Sequence, residues 1–211
     1  NPFDFEKDNV FNTNSNISSS SNLSFDFTKK DFISFSIFSA FRNPNIDDFG
    51  KVFSKSEGIV VVPNINLKSE KIISSELLFM HKGRYSTTEF ALFYSKLNDA
   101  IEKRKYNFNG NDSILYDGEM MMTIANINIQ KATLKGISLQ FSQQLSKKFE
   151  ISFNSSFVNG VSSDSLPLSH IPPLSVRGEI HYMINKNSNL ILYSNYNAWK
   201  KSEDFDVNGV D

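Results

Sequence analysis

Apolar side chains recur at every second position along much of the chain. Leu23, Phe25 and Phe27 alternate with Ser24, Asp26 and Thr28, and Ile137, Leu139, Phe141 and Leu145 are interleaved with Ser138, Gln140, Ser142 and Gln144. Phe149, Ile151, Phe153 and Phe157 share their stretch with Glu150, Ser152, Asn154 and Ser156, and Leu174, Val176, Ile180, Tyr182 and Ile184 share theirs with Ser175, Arg177, Glu179 and His181. A period of two is the mark of a strand with one apolar and one wet face. Residues 32–41, 72–81, 85–97 and 190–197 repeat the pattern less sharply, which gives about eight strands.

The connections between these strands fall into two kinds. Residues 29–31, 82–84, 146–148 and 185–188 are short polar turns of hairpin type. Residues 43–67, 98–123, 158–173 and the stretch after Trp199 are long and polar. Short and long connections alternate. In an up-and-down meander every second connection lies at the same end, so all short turns gather at one end and all long loops at the other. Transmembrane barrels have this asymmetry, and several segments here approach the ~9 to 11 residues that cross a bilayer at a tilt. The expected fold is therefore all-β: an antiparallel up-and-down transmembrane β-barrel, with its apolar face on lipid and its Ser, Gln, Asn, Glu and Arg face lining a wet lumen.

Composition and charge narrow the function. The 211 residues hold 22 Lys plus Arg against 23 Asp plus Glu, a net charge of -1 that provides no electrostatic footprint for nucleic acid. The absence of Cys removes disulfide scaffolds, Cys-ligated zinc and thiol catalysis. No apolar run approaches the ~18 residues of a membrane helix. The 20 Phe and the abundance of Ser and Asn favour strands over helices. Tyr85, Tyr94, Tyr182, Tyr193, Tyr196 and Trp199 fall near strand ends, where interfacial aromatic girdles sit; aromatics are also simply good strand formers. No HExxH, G-x-S-x-G, P-loop or Gly-rich dinucleotide turn occurs, so no catalytic residue, cofactor or metal is expected.

A complete small barrel begins and ends on its short-turn side. Here the first strand enters from the polar segment 12–22, and the last runs toward the long-loop side before the loop-like residues 204–211. The expectation is a single partial barrel domain over residues 1–211. Two alternatives use the same strands: a small complete outer-membrane barrel with a structural or adhesion role, and a soluble β-sandwich that binds carbohydrate. A sandwich buries its apolar face against a second sheet and has no need of alternating connection lengths.

Several segments resemble a known family. Phe41-Arg42-Asn43-Pro44-Asn45-Ile46-Asp47-Asp48-Phe49 and Val62-Pro63-Asn64-Ile65-Asn66-Leu67-Lys68-Ser69-Glu70 are similar to the paired FRAP and NPNL-x-P-E boxes of TonB-dependent outer-membrane receptors. Residues 93–101, the Ala125-Asn126-Ile127-Asn128-Ile129-Gln130-Lys131-Ala132 stretch with Gly136-Ile137, and Pro167-Leu168-Ser169-His170-Ile171-Pro172-Pro173-Leu174 continue the likeness in the family's order. Asn43, Ile65 and Ser69 depart from the boxes while Pro44 and Pro63 remain. The resemblance implies a C-terminal part of a larger plugged barrel in the Gram-negative outer membrane. Plug domain and TonB box would lie upstream of Asn1, and closing strands downstream of Asp211. It also implies uptake of a bulky, scarce solute such as a ferric siderophore. The partners implied are outer-membrane lipid, the TonB complex acting through the plug, and a small-molecule or metal-chelate solute.

Candidate ligand residues lie on the long-loop side. Arg42 stands at the lumen rim, where it meets an anionic ligand or pairs with Asp47 or Asp48. Asn45 is placed to cap a short helix over residues 46–52, with Asp48 three positions on completing a capping box. Tyr106, Tyr116 and Asp117 belong to the long 98–123 connection, and His170 sits between Pro167 and Pro172. His81 lies beside a short turn, and His181 shares a polar face with Arg177 and Glu179, where a lumenal hydrogen-bond network is expected. In some haem receptors of the family a His between the two boxes ligates iron; no His lies between Pro44 and Pro63, which disfavours that route.

Overall fold

The structure is a computed structural model that describes residues 15–168, 170–201 and 205. The opening residues 1–14 and most of the tail at 204–211 lie outside the described residues, as does Ser169. The strands are β1 (Ser19–Asp26), β2 (Asp31–Arg42), β3 (Phe53–Ser56), β4 (Ile59–Val61), β5 (Glu70–Lys82), β6 (Ser86–Lys105), β7 (Ser113–Tyr116), β8 (Glu119–Ser146), β9 (Phe149–Ser162), β10 (Ser175–Asn185) and β11 (Ser188–Asn197), with one helix, α1 (Ile46–Phe49). All eleven belong to one sheet, whose spine runs β1-β2-β5-β6-β8-β9-β10-β11. Every spine pairing is antiparallel. Among the described residues β1 and β11 do not pair with one another, so the sheet is an open segment of barrel wall.

The spine strands are the eight that the alternation predicts. Their short connections, between β1 and β2, β5 and β6, β8 and β9, and β10 and β11, gather at one end. The three further strands escape period-two reading. β3 and β4 arise inside the 43–67 connection, and β7 inside 98–123. That second segment is largely not a loop, because β6 continues to Lys105 and β8 starts at Glu119, making β8 28 residues long. Alternation fails there because both faces are covered: Thr123, Ile124 and Ala125 are consecutive and all essentially inaccessible to solvent.

Register separates the two faces. Leu23 pairs with Phe35, Phe35 with Leu77, Leu77 with Leu92, Leu92 with Ile137 and Ile137 with Phe157. This row is apolar and exposed throughout, with Leu23 74% and Phe157 45% accessible. A soluble sheet would bury it; lipid is the solvent that suits it. On the opposite face Asn22 donates to Ser34 and Ser36 at 2.6 and 2.8 Å, and the hydroxyls of Ser74 and Ser95 lie 2.7 Å apart and buried. Gly136 pairs with Phe93 across the β6–β8 seam on this face. A Cβ on Gly136 would come within 2.3 Å of the Phe93 ring, so the glycine makes the space that the ring fills.

Above the rim, β6 and β8 rise as a long ribbon beyond β5. β7 continues the ribbon's hairpin, and β4 adds in parallel to the other edge of β8 through Ile59–Met122, Val60–Thr123 and Val61–Ile124. The chain between β2 and β5 therefore crosses β6 to reach β8. Val60, Val62, Phe108, Met121 and Ala125 form the buried cluster that holds this cap together. A second cluster, Ala100, Ala132 and Leu168 with Leu97, Leu134 and Ile171 packed on it, pins the β9–β10 connection against the same ribbon.

Candidate functional site

Two groups of hydrogen-bonded polar residues mark this wall, one at the long-loop rim and one on the lumenal face.

At the rim, Asn45 caps α1 and the capping box is complete: Asp48 N–H donates to Asn45 Oδ1 at 3.0 Å and Asn45 N–H to Asp48 Oδ2 at 2.9 Å. Gly50 ends the helix at Phe49, three residues short of the expected end, because residues 53–56 are already drawn into β3. Arg42, the last residue of β2, donates through Nη1 to Asp48 Oδ2 at 2.6 Å and through Nε to Glu70 Oε2. Of the two acids proposed for Arg42, Asp48 is the partner and Asp47 is exposed on the helix. Glu70, its cross-strand neighbour in β5, closes the second of the two boxes, but its pairing with Arg42 is placed there by register.

The rim continues through three asparagines. Asn126 Nδ2 donates to the Asp48 carbonyl at 2.7 Å, and Asn64 Nδ2 donates to the Asn126 carbonyl at 2.9 Å. Asn128 takes the Lys68 N–H at 2.7 Å on its Oδ1 and gives Nδ2 to the Lys68 and Asp99 carbonyls. Asp99 has a φ of 54°, a left-handed kink inside β6 that these bonds stabilise. Two of these asparagines lie in the stretch that resembles the family's N-x-x-K-A segment, and Asn64 in its second box.

Tyr106 and Tyr116 come together, both half-buried against the Val60–Phe108–Met121 cluster. Asp117, at φ 54°, and Gly118, at φ 87°, form the tight turn between β7 and β8, with Asp117 exposed at its tip. Of the three methionines beside it, Met121 is buried and Met120 is 66% exposed. His170, at φ 59° and exposed, belongs to the β9–β10 connection, a different element from the others. The same connection holds Asp164, whose carboxylate accepts the Ser162 hydroxyl, and this bond holds its pKa below the ordinary value.

On the lumenal face, Arg177 donates to Glu179, and His181 Nε2 lies 3.0 Å from the other Glu179 oxygen, which is the expected network. Arg177 also sits 5.0 Å from the centre of the Tyr193 ring, so Tyr193 faces the lumen and is not part of an outer girdle. A shallow basin of about 540 Å³ opens beside it, lined by Ser138, Gln140, Asn154, Ser156, Arg177 and Asn195 among others. His81, at the short-turn end, has its Nδ1 2.5 Å from Asp31 Oδ1. Among the described residues no group of three or more His, Cys, Asp or Glu is arranged to hold a metal.

An open antiparallel wall with an apolar outer face, a hydrogen-bonded inner face and an elaborated rim defines a segment of a large membrane β-barrel. The sequence matches the family described as "TonB dependent receptor-like, beta-barrel" over residues 2–209, and the chain belongs to that family. Solved structures agree on the fold. A mutant of the ferric enterobactin receptor from Pseudomonas aeruginosa, in complex with enterobactin, is similar with a TM-score of 0.67 at 18% identity, over 82% of this chain and 27% of that one. The siderophore receptor PirA from Acinetobacter baumannii is similar with a TM-score of 0.63 at 15% identity, over 92% and 32%. Copper transporter OprC is similar with a TM-score of 0.62 at 17% identity, over 80% and 25%. This chain thus spans about a quarter to a third of the length of these structures. No curated protein matches its sequence significantly. The family is one of receptors and transporters, not a class of enzymes.

Proposed function

We propose that residues 1–211 are part of the barrel of an outer-membrane receptor that takes up a bulky, scarce solute, in the first place a ferric siderophore or another metal chelate. Energy would reach it from the TonB complex through a plug domain encoded outside these residues. The observation that carries this reading is the two-faced wall: a continuous apolar outer row beside a lumenal face of hydroxyl, amide and paired charged groups, in a chain of this family. The names of the similar structures, which speak of siderophores, enterobactin and copper, support a metal-bearing solute.

In this reading the solute meets the loop side. Asp47, Asp117 and His170 present exposed polar groups there, and Tyr106 and Tyr116 offer half-buried ring edges. Arg42 and Asp48 act first as the architecture that holds α1 to the wall. The test is deletion of the full-length gene, followed by growth of the strain under iron and copper limitation on a panel of chelates. Loss of growth on one chelate, restored by the gene only when TonB is present, is the expected result. Unchanged uptake of every chelate would overturn it.

A further inference from the structure

The outward face of the wall carries its basic residues in one place. Cross-strand register lines up Phe41, Lys71, Asn98 and Lys131 in one row, Ser39, Ile73, Lys96 and Thr133 in the next, and Ile37, Ser75, Tyr94 and Lys135 in the third. Lys71, Lys96, Lys131 and Lys135 are all exposed. Lys96 is the diagonal neighbour of the other three, within the ~7 to 8 Å over which such positions interact. No carboxylate occupies an outward position in these rows. Below the Asp99 kink, Asp31 is the one outward carboxylate of the spine strands among the described residues, and it lies at the opposite, short-turn end beside His81; Glu102 and Glu119 belong to the ribbon above the rim.

The height of the cluster gives it meaning. Lys71, Lys96 and Lys135 each stand ten or eleven residues along their strands from the short-turn end. At ~3.3 Å per residue and a tilt near 45°, that distance is about 25 Å, the height of the apolar band of an outer-membrane barrel. The lysines therefore begin where hydrocarbon ends, on the long-loop side, with the row of Leu77, Leu92 and Ile137 directly below them. Tyr94, exposed in the lowest of the three rows, has the Lys96 ammonium 5.9 Å from its ring centre, an arrangement of aromatic and cation suited to the interface. Four unopposed ammonium groups at the hydrocarbon edge match a lipid that carries phosphate on its headgroup, because phosphate is the anion found at that depth.

We infer that Lys71, Lys96, Lys131 and Lys135 form a binding site for the phosphate groups of an outer-leaflet lipid. The inference rests on the membrane orientation proposed above. It is tested on the full-length receptor purified in detergent and titrated, by native mass spectrometry, with phosphorylated lipid A and with the same lipid after phosphatase treatment. Wild type should retain the phosphorylated lipid preferentially. The combined change Lys71→Gln, Lys96→Gln, Lys131→Gln and Lys135→Gln should weaken that binding on the order of a hundredfold, and Lys96→Gln alone about fivefold, with the dephosphorylated lipid unaffected. Changing Lys29, Lys30, Lys147 and Lys148 to Gln at the short turns should leave both affinities as they were. Heat-modifiable migration in a gel confirms that each variant is a folded barrel; if the fourfold variant fails that check, Lys96→Gln and loss of binding in high salt carry the test. A wild-type barrel that retains both lipids equally overturns the lipid site alone. A receptor that stays soluble without detergent and retains neither lipid overturns the membrane reading and this site with it.

Discussion

Glu70 serves two strands at once: its Oε1 accepts the backbone N–H of Ile101 in β6 at 2.6 Å, while its Oε2 receives the Arg42 guanidinium from β2. A carboxylate used this way joins three neighbouring strands immediately beside the kink at Asp99, where the regular ladder between β6 and its neighbours is interrupted.

Glu70→Ala should therefore strip protection from the Ile101 amide and loosen the top of β6, at a cost of about 1–3 kcal/mol for the amide left unsatisfied. Glu70→Gln keeps an acceptor for Ile101 and loses only the ion pair with Arg42, whose half-exposed guanidinium makes that pair worth little, about 0–1 kcal/mol. Hydrogen exchange at Ile101 separates the two variants. Equal exchange in both would show that the carbonyl oxygen of a glutamine does not replace Oε1.

The cap of α1 gives a second expectation. Asn45→Ala removes the acceptor for the Asp48 amide and should cost about 1 kcal/mol of local stability, whereas Asn45→Asp should be nearly neutral. Because Asp48 also holds Arg42, the loss should appear as faster exchange through residues 46–50 with the strand amides of β2 unchanged.

Gly136 is a packing requirement of the wall. Gly136→Ala places a Cβ 2.3 Å from Phe93 Cε1 and 2.8 Å from the Phe157 carbonyl oxygen, and the latter is backbone that has little freedom to retreat. A destabilisation of about 1–3 kcal/mol is expected, read from the denaturant midpoint of the folded barrel. Pairing Gly136→Ala with Phe93→Leu should recover part of it. No recovery would place the strain on the Phe157 carbonyl.

Acid should loosen the β9–β10 connection. Asp164 has a carboxyl pKa lowered by the Ser162 hydroxyl that it accepts, so its contribution is present above the ordinary carboxylate pKa. It is lost as pH falls through the lowered folded value. Ser162→Ala should move the Asp164 titration, followed by carboxyl-carbon NMR, upward toward the ordinary range. An unchanged midpoint would assign the shift to another group.

Much of this protein was legible in the chain because lipid and water impose opposite demands on alternate residues. The eight spine strands, their antiparallel order and the placement of short turns at one end followed from period two and connection length. So did the capping box at Asn45 and Asp48, and the Arg177–Glu179–His181 network, since each joins residues close in sequence. The boxes around Pro44 and Pro63 and the Asn126–Lys131 stretch pointed to the family. What the tertiary structure decided lies above the rim and across strands. There β6 and β8 outrun their neighbours, β4 crosses to a strand four places on in the chain, and residues such as Ile124 and Ala125 are buried on successive positions, so no alternation survives to be read. Glu70 became the partner of Arg42, and Lys71, Lys96, Lys131 and Lys135 became one cluster, through register alone. Within a hairpin such as β5–β6 the turn fixes the register, but between β2 and β5 and between β6 and β8, which long segments connect, it is settled by the pairing of whole strands.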